Sequence, residues 1–154
     1  MNYEVNGFAD IYMILSNERR VGGVIEAESI RLRSGEVFTH PVVTHIDFTG
    51  TTFYTMGFVS NTGLKVIVNV NEICSIVSPM HKRTKELQNS YYKKIKVNEK
   101  LKYLKRLCEV NEGYYTEPFI KEVEAIVNDI GIESVESELN LDFLRKYPRL
   151  VQIA

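Results

Sequence analysis

The chain has 154 residues, of which 44% are apolar, and its formal net charge is −1. This length fits one domain, or one domain with a large appendage, and the apolar fraction is enough for a buried core, which excludes a wholly disordered chain. The two cysteines, Cys74 and Cys108, lie far apart without a CxxC spacing, which argues against a disulfide scaffold and a cysteine-based zinc site. We expect both thiols to be buried or half-buried.

The first residues read MNYEVNGFADIYMILS and resemble neither a signal peptide nor a membrane span. A signal peptide carries an early cation and a longer apolar run than this segment has. The apolar run IYMIL has five residues, far fewer than the ~20 that cross a bilayer. We therefore expect a soluble, cytoplasmic protein without a membrane partner.

The sequence up to residue 79 predicts antiparallel strands. The stretch EVFTHPVVTHIDFTG alternates with a period of two, which is typical of a half-buried strand, and Pro41 within it belongs at an edge or a bend. Glycines such as Gly35 and Gly63 mark tight turns, and a kink is expected at Asn71 and Glu72. One face is predicted to carry Phe38, His40, Val42, Ile46 and Phe48, and the other Thr39, His45, Asp47 and Thr49.

These strands predict a small antiparallel β-barrel or a strongly bent sheet over residues 1–79. The stretch GLKVIVNVNEICSIV is similar to the closing strands of many small β-barrel modules. That similarity covers about fifteen residues and implies no function.

The sequence after Pro79 predicts helices. The apolar residues Leu87, Tyr91 and Ile95 recur at helical spacing, and Val97, Leu101, Leu104 and Cys108 then follow in a heptad-like seam. The two sets point about 100° apart, so either one helix rolls against its partner or two helices form. Two helices are favoured, with Asn98 as the N-cap of the second. The seam is expected to face either a later helix of this chain or a second copy, giving a possible homo-oligomer through Val97, Leu101 and Leu104.

A further helix is predicted to begin after Thr116, because a hydroxyl cap, an acid and Pro118 follow one another there. Its buried stripe is Phe119, Val123, Ile126, Val127 and Ile130, and Gly131 ends it. A last helix is predicted within 134–146, carrying Leu139, Phe143 and Leu144. The predicted fold class is therefore α+β, with an antiparallel β domain over 1–79 and three or four helices over 80–154.

The charges are distributed unevenly along the chain. Residues 1–80 carry five cations and eight anions, a net charge of −3. Residues 81–106 carry ten cations and two anions, a net charge of +8, whereas residues 107–154 carry four and ten, a net charge of −6. The near-neutral total therefore conceals a basic middle segment and an acidic last third.

The basic segment 81–106 is the candidate site, because spaced cations neutralise successive phosphates and tyrosines among them can stack on exposed bases. The alternatives are that the cations are neutralised by the acidic third of the chain, or that they meet an acidic protein partner. On a helical wheel the cations spread over most of the circumference, although Lys102, Tyr103 and Arg106 lie opposite the seam. The predicted nucleic-acid-binding residues are Lys82, Arg83, Lys85, Tyr91, Lys93, Lys94, Lys96, Lys102, Tyr103 and Arg106.

Catalytic and metal sites are not predicted. The chain has no GxSxG, GxxxxGK[ST] or GxGxxG motif, and the apolar neighbours of Cys74 suggest an inert thiol. On their shared strand face His45 and Asp47 resemble two metal ligands. His40 is expected to point away unless Pro41 or a bulge resets the register, and no third ligand is near, so a solvent-facing pair is favoured. We expect no enzyme, cofactor or metal, and a regulatory or interaction protein. It would bind nucleic acid or, alternatively, act as a protein-binding adaptor or inhibitor through its helical region or β-domain edge.

Overall fold

The computed structural model describes residues 4–6, 24–49 and 53–139. The chain forms two compact units, each made of two stretches of sequence. One unit contains residues 1–82 and 86–93, and the other contains residues 83–85 and 94–154. We call them the β unit and the helical unit. The domain limits at residues 79 and 80 stay a prediction.

The β unit contains two antiparallel sheets, which confirms the strand-rich first half of an α+β fold. The strands are β1 Glu4–Asn6, β2 Val24–Glu26, β3 Ser29–Leu32, β4 Val37–Thr39, β5 Val42–Thr49, β6 Phe53–Val59, β7 Lys65–Asn69, β8 Ile73–Val77 and β9 Met80–Lys82. The four-stranded sheet has the order β1-β8-β3-β4 and the five-stranded sheet the order β7-β6-β5-β2-β9.

The chain passes from one sheet to the other through short bends, at residues 27–28, 40–41 and 78–79. His40 and Ser78 adopt left-handed backbone conformations in two of these bends, with φ of 45° and 48°. The Ala27 N–H donates to the Pro41 carbonyl at 3.0 Å, which joins two of the bends. Pro41 therefore lies at a bend, as predicted. The strand orders do not close a barrel, so the barrel alternative is unconfirmed.

The structure of strand β5 differs from the predicted alternation. Along β5, Val43 pairs with Phe58 and His45 pairs with Gly57, so Thr44 is an extra residue in a β-bulge. Because the bulge resets the register, Val43 and Ile46 pack against the same core, although the alternation put only Ile46 on the apolar face. The buried residues of this core are Ile25, Ala27, Ile30, Met56, Phe58, Val70, Ile73 and Ile76.

The predicted turns at Gly35 and Gly63 form with φ of 94° and 90°. Residues Val70–Glu72 form a short 3-10 helix, which confirms the kink before β8. The predicted turn around residues 50–52 lies outside the described residues, as do Phe143 and Leu144 of the predicted last helix.

The described part of the chain contains three α-helices: α1 Ser90–Val110, α2 Glu117–Ile130 and α3 Ile132–Glu136. Helix α2 begins as predicted, with the Thr116 side chain accepting from the Phe119 N–H, and Gly131 follows its last residue. Helix α3 begins two residues before the predicted range, at Ile132, and the description ends at Leu139. None of the helices in this described part has an apolar stretch sufficient for a membrane crossing.

The prediction of two helices over 84–108 is wrong, because α1 is continuous and Asn98 is exposed in its middle. The capping side chain is Asn89, whose Oδ1 accepts from the Tyr92 N–H at 3.0 Å. The apparent change in stripe direction arises because Leu87 precedes the helix, while Tyr91 and Ile95 are 47% and 38% exposed.

The seam of α1 packs within the helical unit. Leu101 and Leu104 belong to a core with the buried stripe of α2 and with Ile132 and Val135, and Val97 packs against it. The partner of the seam is therefore α2 of the same chain. Leu101 and Leu104 have 7% and 0% of their surface exposed, and Val97 is partly buried, so the homo-oligomer through this seam stays a prediction.

A buried carboxylate fixes the chain just before α1. Glu26 is fully buried and accepts from Lys82 Nζ at 2.7 Å and from the backbone N–H groups of Gln88 and Asn89 at 3.0 and 2.8 Å. The Asn89 amide in turn donates to the carbonyls of His40 and Val59. Because every one of these buried polar groups has a partner, the start of α1 is anchored within the β unit.

Candidate nucleic-acid interface

Several predicted phosphate-binding cations have partners within their own unit. Lys82 pairs with Glu26, and Arg83 donates to the Asn128 side chain at 3.0 Å. Lys96 pairs with Glu99 at 3.2 Å, one turn further along α1. Lys85 and Lys93 are half-buried. These five residues therefore contribute less to an external phosphate site than their number suggests.

Internal neutralisation accounts for only part of the charge. Lys105 pairs with Glu138 of the acidic third at 3.3 Å. In contrast, Lys94, Lys102 and Arg106 are exposed, and no residue in the described part of the chain forms an ion pair or hydrogen bond with their side chains. The structure therefore leaves three exposed cations of the predicted set without a partner in the described part of the chain.

Lys102 and Arg106 lie on the side of α1 that faces away from the helical core, whereas Lys94 lies closer to the seam, two helical turns before Leu101. At 100° per residue, Lys102 and Arg106 lie about 160° from the buried Leu104, and Lys94 lies about 80° from it. The rise of α1 gives about 18 Å between Lys94 and Arg106. We call Lys94, Lys102 and Arg106 the basic stripe. Its length corresponds to about five base-pair steps of a duplex.

The two predicted base-stacking tyrosines have different surroundings. Tyr91 is 47% exposed, but its ring lies over Gly63, where an added Cβ would be 2.8 Å from the ring. Tyr103 is 49% exposed, and its hydroxyl donates to Glu122 Oε1 at 2.6 Å. This hydrogen bond raises the pKa of Tyr103 above its ordinary value of 10.0, because ionisation would remove the proton that the phenol donates to the Glu122 carboxylate.

Sequence reasoning did not single out Lys100 and Lys121, which line a cleft beside Tyr103. Lys100 precedes Tyr103 by one helical turn, a spacing that places both on one side of α1. Lys121 belongs to the acidic third of the chain, and only the packing of α2 on α1 brings it to the same cleft. Because the sequence does not show how two helices pack, the position of Lys121 beside Tyr103 could not be predicted from it.

His45 and Asp47 share a sheet face, as predicted, with 3.6 Å between His45 Nε2 and Asp47 Oδ2. The pair is exposed to different degrees, at 31% and 68% of its side-chain surface. His40 lies in the bend before β5. Among the described residues, no group of three histidine, cysteine or acidic side chains is arranged to hold a metal ion.

The His45 ring lies across Gly57, its cross-strand neighbour, and an added Cβ at Gly57 would collide with the imidazole. We expect Gly57→Ala to lower the free energy of unfolding by about 1–2 kcal/mol, because the ring must leave its position beside Asp47. In a His45→Ala background the same substitution should cost almost nothing, since the collision is gone. Urea unfolding of the four proteins of this double-mutant cycle measures the difference. Equal costs in both backgrounds would show that the ring does not require glycine.

The two thiols differ from the prediction in one respect. Cys108 is half-buried, as expected, and burial raises the pKa of its thiol above the ordinary 9.0. Cys74 is exposed, because it occupies an outward position of β8 between the buried Ile73 and Ser75. The prediction that both thiols are at least half-buried is therefore wrong for Cys74.

Comparisons with models of known protein families, with curated proteins and with solved structures find no significant match to this chain.

Proposed function

We propose that this protein binds nucleic acid through phosphate contacts made by the basic stripe on α1. The observation that supports this most strongly is the exposure of Lys94, Lys102 and Arg106 without a partner in the described part of the chain. Cations of this kind release condensed counterions when they bind phosphates, and this release drives binding without reading base sequence. The role is non-enzymatic and regulatory.

The geometry favours non-specific contacts of α1 with the phosphate backbone over insertion of α1 into a groove of the nucleic acid. The stripe spans about a third of the α1 circumference, from about 80° to 200° relative to Leu104. Asn98 and Arg106 lie within that span, but they are about 80° apart around the helix and so do not face one groove together to read base edges. We therefore expect weak dependence on base sequence and strong dependence on salt.

Salt dependence of affinity is the test. Between about 50 and 200 mM salt, the affinity for a short duplex or single strand should fall by about one power of salt concentration for each phosphate contact. In the variant with Lys102→Gln and Arg106→Gln, the slope of log affinity against log salt concentration should be smaller in magnitude by about two. Fluorescence anisotropy measures the affinities.

The matched control is the variant with Lys96→Gln and Lys105→Gln, which removes the same charge from two cations that already have acidic partners. Its slope should change by less than about one. Equal slopes for both variants would place the contacts elsewhere, and an absence of binding at 50 mM salt would exclude the proposed function.

The alternative role as a protein-binding adaptor has one observation in its favour. Strand β7 ends the five-stranded sheet among the described strands, and it carries Ile67, which is 59% exposed. Exposed sheet edges accept strands from other proteins through backbone hydrogen bonds. Ile67→Lys would weaken such pairing without changing the basic stripe, so the two roles can be separated.

A further inference from the structure

A cleft of about 370 Å³, open to solvent, lies between helices α1 and α2 of the helical unit. Lys100 and Tyr103 line it from α1, and Lys121, Glu122, Ala125 and Ile126 line it from α2. The Tyr103–Glu122 hydrogen bond ties the two helices together beside this space. The cleft therefore combines two cations, a half-exposed aromatic ring and an apolar lining.

These groups match the parts of a nucleotide. The ammonium groups of Lys100 and Lys121 suit a phosphate, and the ring of Tyr103 with the apolar lining suits the face of a base. A base inside a duplex is stacked and paired, so only an unpaired nucleotide can enter a cleft of this kind. The cleft thus favours single strands, whereas the basic stripe binds any phosphate backbone.

Glu122 adds a preference among bases. Its Oε1 accepts from Tyr103, and its Oε2 has no partner in the described part of the chain. A carboxylate accepts hydrogen bonds and does not donate them. It can therefore accept a hydrogen bond from the exocyclic amino group of cytosine or adenine. Thymine presents a carbonyl oxygen at the corresponding position, which the carboxylate repels.

We propose that this cleft is a nucleotide subsite for single-stranded nucleic acid, selective for bases that carry an exocyclic amino group. The inference rests on the proposed binding of phosphates by the basic stripe. It assigns to the cleft the recognition of unpaired bases, which the stripe itself does not provide.

The test compares oligo(dC), oligo(dT) and a duplex of equal length by fluorescence anisotropy. Oligo(dC) should bind at least about fivefold more tightly than oligo(dT). Ala125→Trp fills the cleft without changing charge, and we expect it to weaken oligo(dC) binding about tenfold and duplex binding less than twofold. Val110→Trp, at a position that is 74% exposed and outside the cleft, is the matched control and should change neither.

Two further variants keep the test decisive if the tryptophan disturbs folding. Lys121→Gln should weaken oligo(dC) binding more than duplex binding, and Glu122→Ala should bring the dC to dT affinity ratio close to one. If duplex binding persists while these variants and Ala125→Trp leave oligo(dC) binding unchanged, the subsite is excluded and the basic stripe is not. If no probe binds at low salt, both proposals fail together.

Discussion

Replacing Glu26 with alanine is expected to lower the free energy of unfolding of the β unit by about 3–5 kcal/mol. The carboxylate is fully buried and accepts from Lys82 and from the N–H groups of Gln88 and Asn89. Its removal leaves a largely buried ammonium and two backbone donors without an acceptor, and each unsatisfied group costs free energy. Urea unfolding, together with hydrogen exchange at the amides of β2 and β5, measures the loss.

Glu28→Ala is the matched control, because the same side chain is removed two positions away at an exposed site. It should change stability by less than about 0.5 kcal/mol. Replacing both Glu26 and Lys82 with methionine should recover only the part of the loss that is due to the unpaired ammonium, because the N–H groups of Gln88 and Asn89 still lack their acceptor. If Glu26→Ala costs no more than Glu28→Ala, the carboxylate does not anchor the start of α1.

Leu104→Asp is expected to unfold most of the helical unit. Leu104 has 0% exposure and belongs to a core with Phe119, Val123 and Val127 of α2, and the buried residues described for this core are all apolar. Placing an unpaired charge there costs about 3 kcal/mol or more, in addition to the lost apolar contacts. The helical signal in far-UV circular dichroism should fall and its thermal transition should broaden or disappear.

Ile95→Asp supplies the comparison on the same helix. Ile95 is 38% exposed and lies on the side of α1 opposite Leu104, so the same chemical change should cost less than about 1 kcal/mol. Similar losses for both variants would contradict the assignment of the Leu101 and Leu104 seam to the core.

The elements that could be predicted from the sequence are those with local signals. Helix α2 has its cap, its proline, its apolar stripe and its terminal glycine within sixteen residues, 116–131, and the sequence predicts each of them. The turns at Gly35 and Gly63 and the kink before β8 were likewise set by nearby residues.

The features that escaped prediction depend on contacts between distant residues. The start of α1 is fixed by Glu26, which lies 63 positions before Asn89 and has the sequence signature of an ordinary exposed strand residue. The bulge at Thr44 is defined only by the pairing with β6. Of the predicted interface, the periodicity of α1 placed Lys102 and Arg106 opposite the seam. It did not show which other cations would have partners.

The central claim, that α1 and its cleft contact nucleic acid, is tested most directly by photo-cross-linking of a labelled oligo(dC) followed by peptide mapping. The interface proposed here predicts cross-links within residues 94–126, with Tyr103 the main site because its half-exposed ring meets an unpaired base. They should disappear with excess unlabelled strand or high salt. Cross-links confined to β-unit residues 24–82, or none at low salt, would contradict the claim.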